Sequence, residues 1–276
     1  MKYHNALKII VILVICSASV YAQTPLDEYE PYNPTVMRSR IALDTDAYYF
    51  VASTYLYGLR PSYFFGLPNN KHTMGITVPF IHSIFAGDFG GYENTTGIGD
   101  IKFTYYGVPF QSEDLLGFNR LTFALEVTAP TGNEQVGRGT GAWVYKPALV
   151  ANIRPIPNAF FFPQINFQFS TSPLNSLGGG DGLPDPEDTD LERQLQVLGA
   201  SFPFTLTIDQ AEAWFTLSAD YLYSFSESTS FLFIRMDVGK MLGKNTSGGL
   251  QISKFVAGQP RLETLVRARF NFFLGR

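Results

Sequence analysis

Apolar and polar residues alternate with a period of two along most of the chain, in segments of about ten residues that turn-forming residues separate. Helical periodicity is scarce. Near the C-terminus, Phe270 and Phe272 fall on one face of such a segment, and Arg267 and Arg269 fall on the other. Because the side chains of a strand point alternately to its two faces, the pattern predicts β-strands with one apolar and one polar face.

Twelve strands are predicted from this alternation. They cover residues 36–43, 48–59, 72–82, 99–108, 120–128, 142–152, 159–170, 193–206, 212–223, 230–240, 247–255 and 263–274. The first two alternate least clearly, so ten strands is the alternative. Most segments reach the length of about 9–11 residues that a membrane-spanning strand needs, whereas ordinary strands cluster near 5–6. An even number is typical of single-chain bacterial barrels.

Alternation alone fits a soluble sandwich, whose apolar faces point inward, and an outer-membrane barrel, whose apolar faces meet lipid. Three long connections fall on one side of the predicted barrel: 83–98, 129–141 and 171–192. Two intermediate connections, 60–71 and 109–119, fall on the other side. Arg267 and Arg269 would each cost about 2–4 kcal/mol facing lipid at the midplane. We therefore predict an all-β, antiparallel transmembrane β-barrel with short periplasmic turns and longer extracellular loops.

The N-terminus carries Lys2 and Lys8, an apolar run at 9–16 and small residues up to Ala22. This order predicts a secretory signal peptide at residues 1–22. The only cysteine of the chain lies within it, so disulfides and zinc–thiolate sites are excluded after cleavage. With 24 acidic and 20 basic residues and no basic stripe, no nucleic-acid partner is expected. We expect export to the bacterial outer membrane, with membrane lipid as the main partner.

Two stretches carry a family resemblance: Gly97-Ile98-Gly99-Asp100 opens one strand, and Pro130-Thr131-Gly132 closes the next. A glycine-rich loop at 137–141 then leads into an aromatic strand. With these motifs the chain resembles the outer-membrane β-barrel proteins named for the meta-pathway of phenol degradation, relatives of the fatty-acid transporter barrels. The resemblance implies a barrel that takes part in uptake of small hydrophobic or aromatic compounds.

Both ends of the mature chain resemble parts of such barrels. The aromatic terminal strand resembles the signal that outer-membrane barrels present to the barrel assembly machinery, another expected partner. Residues 23–35 are polar, rich in proline and without periodicity. They are either a disordered periplasmic tail or a hatch folded into the lumen, as in fatty-acid transporter barrels. Residues 36–276 form the predicted barrel.

Charged residues on the polar faces are the candidates for lining the lumen: Arg38, Arg40, Lys102, Glu126, Asp220, Arg235, Asp237, Arg267 and Arg269. Barrel closure makes the first and last strands neighbours, which brings Arg38, Arg40, Arg267 and Arg269 to one wall. These four form either a stripe that attracts anions or a network paired with acidic residues. The acidic residues considered for that network are Asp100, Glu126, Asp220 and Asp237.

No catalytic constellation is found. Only His72 and His82 remain after signal-peptide removal, and no G-x-S-x-G motif occurs. The acidic segment 178–192 lacks an ordered calcium-ligand pattern, so a solvated loop and a calcium site are the two interpretations. We predict no enzyme activity, cofactor or metal, and a channel for passive passage of small solutes. A non-transporting surface scaffold that binds a partner through its loops is the alternative.

Overall fold

A computed structural model describes residues 30–50, 55–68, 71–84, 94–112, 117–133, 136, 138–173, 194–258 and 262–274. The predicted signal peptide and the acidic segment 178–192 lie outside these residues. Among the described residues, no helix has the length and apolar character needed to cross a membrane.

Twelve barrel strands make up the fold, and four of them are interrupted by a short break. The uninterrupted strands are β1 (Arg40–Phe50), β2 (Tyr55–Gly66), β5 (Gly117–Thr128), β6 (Val144–Ile156), β9 (Ala213–Ser224), β10 (Thr229–Gly243), β11 (Thr246–Gly258) and β12 (Leu262–Phe273). The interrupted strands are β3 (His72–Thr77 and Phe80–Ile84), β4 (Thr95–Ile98 and Lys102–Gln111), β7 (Ala159–Phe161 and Gln164–Pro173) and β8 (Gln194–Ser201 and Phe204–Ile208).

Proline residues explain the breaks in three of these four strands. Pro79, Pro163 and Pro203 lie in the breaks of β3, β7 and β8. Proline has no backbone N–H and therefore cannot donate to the ladder of a neighbouring strand. The fourth break, in β4, contains Gly99 and Asp100 of the resemblance motif.

Every strand pairs antiparallel with the next one in sequence, and β12 pairs with β1. Where β1 pairs with β12 to close the barrel, Asp44 lies opposite Arg269. On the other side of β1, Asp44 lies opposite Arg60 of β2. Closure gives each of the twelve strands a paired neighbour on both sides, as a strand-built membrane protein requires. The predicted closed, antiparallel all-β barrel of twelve strands is confirmed.

The first two strands were placed wrongly from the sequence. β1 spans Arg40–Phe50 rather than 36–43, and β2 spans Tyr55–Gly66 rather than 48–59. Residues 36–39 continue the alternation of β1, but they belong to a segment that turns into the lumen. Pairing with β12, which the sequence does not reveal, fixes where β1 begins.

The two ends of the barrel differ in their connections. At the end that holds the start of β1 and the end of β12, two to five residues join consecutive strands. At the opposite end three connections are long: 85–94, 129–143 and 174–193. The expected intermediate connections 60–71 and 109–119 are mostly strand, because β2 extends to Gly66, β4 extends to Gln111 and β5 begins at Gly117. This asymmetry is that of outer-membrane barrels, whose short turns are periplasmic.

The barrel is apolar outside and polar inside. In β12, Phe270 and Phe272 are 48% and 49% exposed, whereas Asn271 between them is 7% exposed. Most of the buried polar residues are small hydroxyl and amide side chains on the inward faces, including Thr122, Asn166, Ser218, Ser247 and Gln251. In a soluble protein this burial would be reversed, so the strand faces follow the membrane-barrel scheme.

Candidate functional site

The chain preceding β1 lies inside the barrel. Tyr32 belongs to a buried cluster, with its ring centroid 5.1 Å from that of Phe160 and 6.3 Å from that of Trp214. Thr35 is fully buried, and Met37 is 3% exposed. These contacts place the described part of the predicted tail, together with the residues up to β1, against the inner wall.

Hydrogen bonds fix this inner segment, residues 30–39, at its middle and at its end. The side chain of Arg120 donates from Nη1 to the carbonyl oxygen of Thr35 at 3.0 Å. Ser39 accepts a hydrogen bond at its side-chain oxygen from the backbone N–H of Gly66, 2.9 Å away. Its carbonyl oxygen accepts another from the backbone N–H of Leu274 at 2.9 Å. The segment therefore enters the lumen at the end with short connections.

A cavity of about 310 Å³ lies between the inner segment and the barrel wall. Among the described residues that line it, six are cationic and three are acidic. The cationic residues are Arg38, Arg40, Arg60, Lys102, Arg267 and Arg269. The acidic residues are Glu30, Asp44 and Glu126. The cavity is therefore net positive, although the whole chain carries a formal charge of −4.

Three arginines on β2 and β12, the two strands that flank β1, share two carboxylates of β1. Arg267 donates from Nε to Asp46 at 2.6 Å, and Arg60 lies 2.5 Å from the same carboxylate. Arg269 binds Asp44 with two nitrogens, at 2.8 and 3.2 Å. The side chain of Asp46 is only 1% exposed, so its pairs are shielded from water. Arg267 and Arg269 thus lie in the ion-pair network that was one of the two alternatives.

The acidic partners and one cation of this network differ from the sequence interpretation. Asp44 and Asp46 bind the arginines, and not Asp100, Glu126, Asp220 or Asp237. Arg60 was missed. The incorrect bounds of β1 and β2 hid all three residues, because they put Asp44 and Asp46 between the first two predicted strands and Arg60 in the connection after the second.

The other two predicted arginines occupy different positions. Arg38 precedes β1 in the inner segment and lines the cavity, but it is not on a strand. Arg40 begins β1, and its guanidinium carbon lies 4.2 Å from the centroid of the Phe64 ring. The wall predicted for four arginines therefore carries Arg40, Arg60, Arg267 and Arg269 instead.

The remaining predicted residues form two further polar groups. Lys102 and Glu126 pair at 3.0 Å across β4 and β5, beside the cavity. Arg235 lies 3.3 Å from Asp220, whose carboxylate also accepts hydrogen bonds from Ser201 and Ser218. Asp237 accepts a hydrogen bond from the indole N–H of Trp214 at 3.0 Å. By strand register Asp220, Arg235 and Asp237 lie on the inward faces of β9 and β10, and they are not among the described residues that line the cavity.

The motifs of the family resemblance meet in one structural unit. Asp100 accepts hydrogen bonds from the backbone N–H groups of Gly132 at 2.8 Å and Thr140 at 2.7 Å. A Cβ on Gly132 would overlap the carbonyl oxygen of Arg138, so only glycine permits this close approach. The connection after β5 is thereby held against the break in β4. Its position is at the end of the barrel with long connections.

Each of the two histidines that follow the predicted signal peptide contacts a hydroxyl group. His72 Nδ1 lies 2.8 Å from the Tyr105 hydroxyl, and His82 Nδ1 lies 2.7 Å from the Thr96 hydroxyl. In the part of the chain that the structure describes, no group of three histidine or acidic side chains could hold a metal ion.

Comparison with known proteins supports the fold. No family model and no curated protein matches the chain. An outer membrane channel from Pseudomonas putida F1 matches with a TM-score of 0.64 at 14% identity, covering 93% of this chain and 100% of that one. The NanC porin matches with a TM-score of 0.56 at 10% identity, covering 84% and 100% of the two chains. The KdgM porin matches with a TM-score of 0.52 at 8% identity, covering 85% of this chain and 99% of that one. The chain therefore has the fold of an outer-membrane β-barrel of the channel and porin kind.

Proposed function

We propose that this barrel is a narrow, passive conduit for small solutes, and that it favours anionic ones. The observation that carries the proposal is the net-positive cavity inside a closed barrel. Six cations face three carboxylates among the described residues that line it. A polar wall with excess cations in a low-dielectric enclosure raises the local concentration of anions. The nine predicted charged residues serve as lumen-lining residues in this proposal.

The solute class follows from the lining together with the family resemblance. Membership of the meta-pathway family is part of the proposal, supported by the way Asp100, Gly132 and Thr140 join the motifs. Uptake of small hydrophobic or aromatic compounds is the role that this membership implies. A neutral hydrophobic solute gains little from a charged wall, whereas an aromatic carboxylate presents a group that arginine binds well. Aromatic carboxylates are therefore the solutes that best satisfy both considerations.

The inner segment acts as a hatch in this proposal. The buried ring of Tyr32 and the hydrogen bond from Arg120 to Thr35 hold the segment across the lumen beside the cavity. Twelve-stranded barrels are intermediate between small filled barrels and wide porins, so a short segment suffices to narrow the passage. Small solutes then pass beside the hatch or after it loosens.

The remaining expectations complete the proposal. The exported protein, after removal of its signal peptide, is inserted by the barrel assembly machinery and contacts outer-membrane lipid with its apolar outer face. It performs no catalysis and uses no cofactor or metal.

Reversal-potential measurements in planar bilayers test the proposal. Purified protein under a KCl gradient should give a potential of the sign that chloride preference produces, and liposomes should swell in small solutes. Chloride preference is expected to weaken in the double variant Arg267→Ala/Arg269→Ala. Liposomes that do not swell would instead support the surface-scaffold alternative, and cation preference would refute the anion proposal.

A further inference from the structure

The side chain of Arg40 stacks on an aromatic ring, which we call its platform. Its guanidinium carbon lies 4.2 Å from the centroid of the Phe64 ring, and the strand register pairs the two residues across β1 and β2. Phe64 in turn lies opposite Gly75 of β3, where a Cβ would overlap its ring. The glycine lets the ring lie against the wall, and the ring fixes the guanidinium through a cation–π contact.

The hydrogen-bonding groups of Arg40 are left unused by the other residues that the structure describes. Arg60, Arg267 and Arg269 each pair with Asp44 or Asp46. The guanidinium of Arg40 makes no ion pair or hydrogen bond with another described residue, and Arg40 lines the cavity. A guanidinium has five N–H donors, and stacking on a ring occupies none of them.

Hydroxyl groups extend this donor set. Thr73 and Tyr106 lie opposite each other on β3 and β4, and both line the same cavity as Arg40. Thr73 is 1% exposed, and its hydroxyl has no hydrogen-bond partner among the described residues. A polar solute in the cavity would supply such a partner.

We propose that Arg40 is the residue that makes the conduit specific for carboxylates, by binding the carboxylate of a solute in transit with two parallel N–H donors. This inference rests on the proposed function and names the residue that selects among anions. A planar carboxylate matches the guanidinium fork, whereas chloride can use it only as a point charge. The open cavity keeps the binding weak enough for release, as conduction requires.

Block of the chloride current by benzoate provides the test, with the full-length mature protein in a planar bilayer. Benzoate should reduce the wild-type chloride conductance in a saturable way. In Arg40→Lys the charge remains but the fork is lost, and the half-blocking concentration should rise about tenfold, the value for losing one charged hydrogen bond. Phe64→Leu keeps Arg40 but removes its platform, so block should weaken in the same direction.

Lys146→Gln is the matched control. Lys146 also faces inward, opposite Glu126, and is not among the described residues that line the cavity. Its substitution removes one positive charge, as Arg40→Gln does, but should leave benzoate block at the wild-type concentration. An equal loss of block in Lys146→Gln and Arg40→Gln would show a general charge effect and overturn the role of Arg40.

The outcomes separate this inference from the function on which it rests. A wild-type protein without chloride preference would refute the anion conduit itself. Chloride preference with no benzoate block, or with block unchanged in Arg40→Lys, would leave the conduit standing and refute the carboxylate site. Correctly folded variants are identified beforehand by heat-modifiable migration in gels.

Discussion

Replacing Asp46 by asparagine removes a carboxylate that two arginines share. Arg267 and Arg60 approach it at 2.6 and 2.5 Å, and the Asp46 side chain is 1% exposed. The asparagine side chain would keep the shape but offer these two guanidiniums no countercharge. We expect Asp46→Asn to destabilise the folded barrel and also to increase its preference for anions.

The structure sets the size of this effect. Removing one partner of a buried ion pair costs about 3–5 kcal/mol, because the other charge is left uncompensated. The side chains of Arg60 and Arg267 are 18% and 17% exposed towards the lumen, so water compensates part of this loss. We therefore expect a decrease of about 2–3 kcal/mol in the free energy of unfolding.

The pair formed by Lys102 and Glu126 gives a matched control. It is 3.0 Å long and likewise lies inside the barrel, but its side chains are 32% and 35% exposed. Exposed pairs contribute about 0–1 kcal/mol. Glu126→Gln should therefore change stability by less than about 1 kcal/mol, since water replaces the lost partner.

Urea unfolding in lipid vesicles, followed by tryptophan fluorescence, measures both changes. A double-mutant cycle of Asp46→Asn with Arg267→Gln should give a coupling energy of about 1–3 kcal/mol, because the second substitution removes one of the two uncompensated charges. Equal stability losses in Asp46→Asn and Glu126→Gln, or a coupling energy near zero, would show that burial does not strengthen the Asp46 pairs.

Three further predictions concern the loop, the outer face and the hatch. Asp100→Asn weakens the hydrogen bonds to Gly132 and Thr140, so proteolysis within 129–143 should accelerate while the barrel melts as in wild type. Leu217 is 45% exposed on the outer face. Leu217→Arg places a charge in lipid and should lower the free energy of unfolding in vesicles by about 2–4 kcal/mol, whereas Leu217→Phe should leave it unchanged. Tyr32→Ala removes a buried ring worth about 3 kcal/mol to the docked hatch, so single-channel conductance should rise; unchanged conductance would contradict a hatch.

The fold could be predicted because strand alternation is local and has a fixed period. The inside-out orientation followed from single residues, since Arg267 and Arg269 alternate with Phe270 and Phe272 and only one face of each strand can meet lipid. The length of the segments and their even number then predicted a closed barrel. No information from distant parts of the chain was needed for these conclusions.

The site depended on pairing between distant residues, which alternation does not contain. Asp44 and Asp46 lie opposite Arg269 and Arg267, more than 200 positions away in sequence. A shift of a few residues in β1 was enough to misplace them and to put Arg38 on a strand. Prediction therefore identified three of the four arginines of the wall, but it missed Arg60 and the acidic partners.

The platform under Arg40 was also invisible in the sequence. It depends on Phe64 and Gly75, which come from two other strands and meet only after the barrel closes. Phe64 read as an ordinary aromatic strand residue, and nothing distinguished Gly75 from the other glycines. Finding it would have required the pairing register of β1 with β2 and of β2 with β3.

Nitroxide labels at two consecutive positions test the inside-out barrel most directly. Phe270→Cys and Asn271→Cys are each labelled and reconstituted in lipid vesicles, and the relaxation of each label by oxygen and by a water-soluble nickel complex is measured. An inside-out barrel requires that oxygen, which concentrates in lipid, relaxes the label at 270 more strongly, and that the nickel complex reaches the label at 271 preferentially. A protein that stays soluble without detergent and shields the label at 270 from both reagents would contradict it.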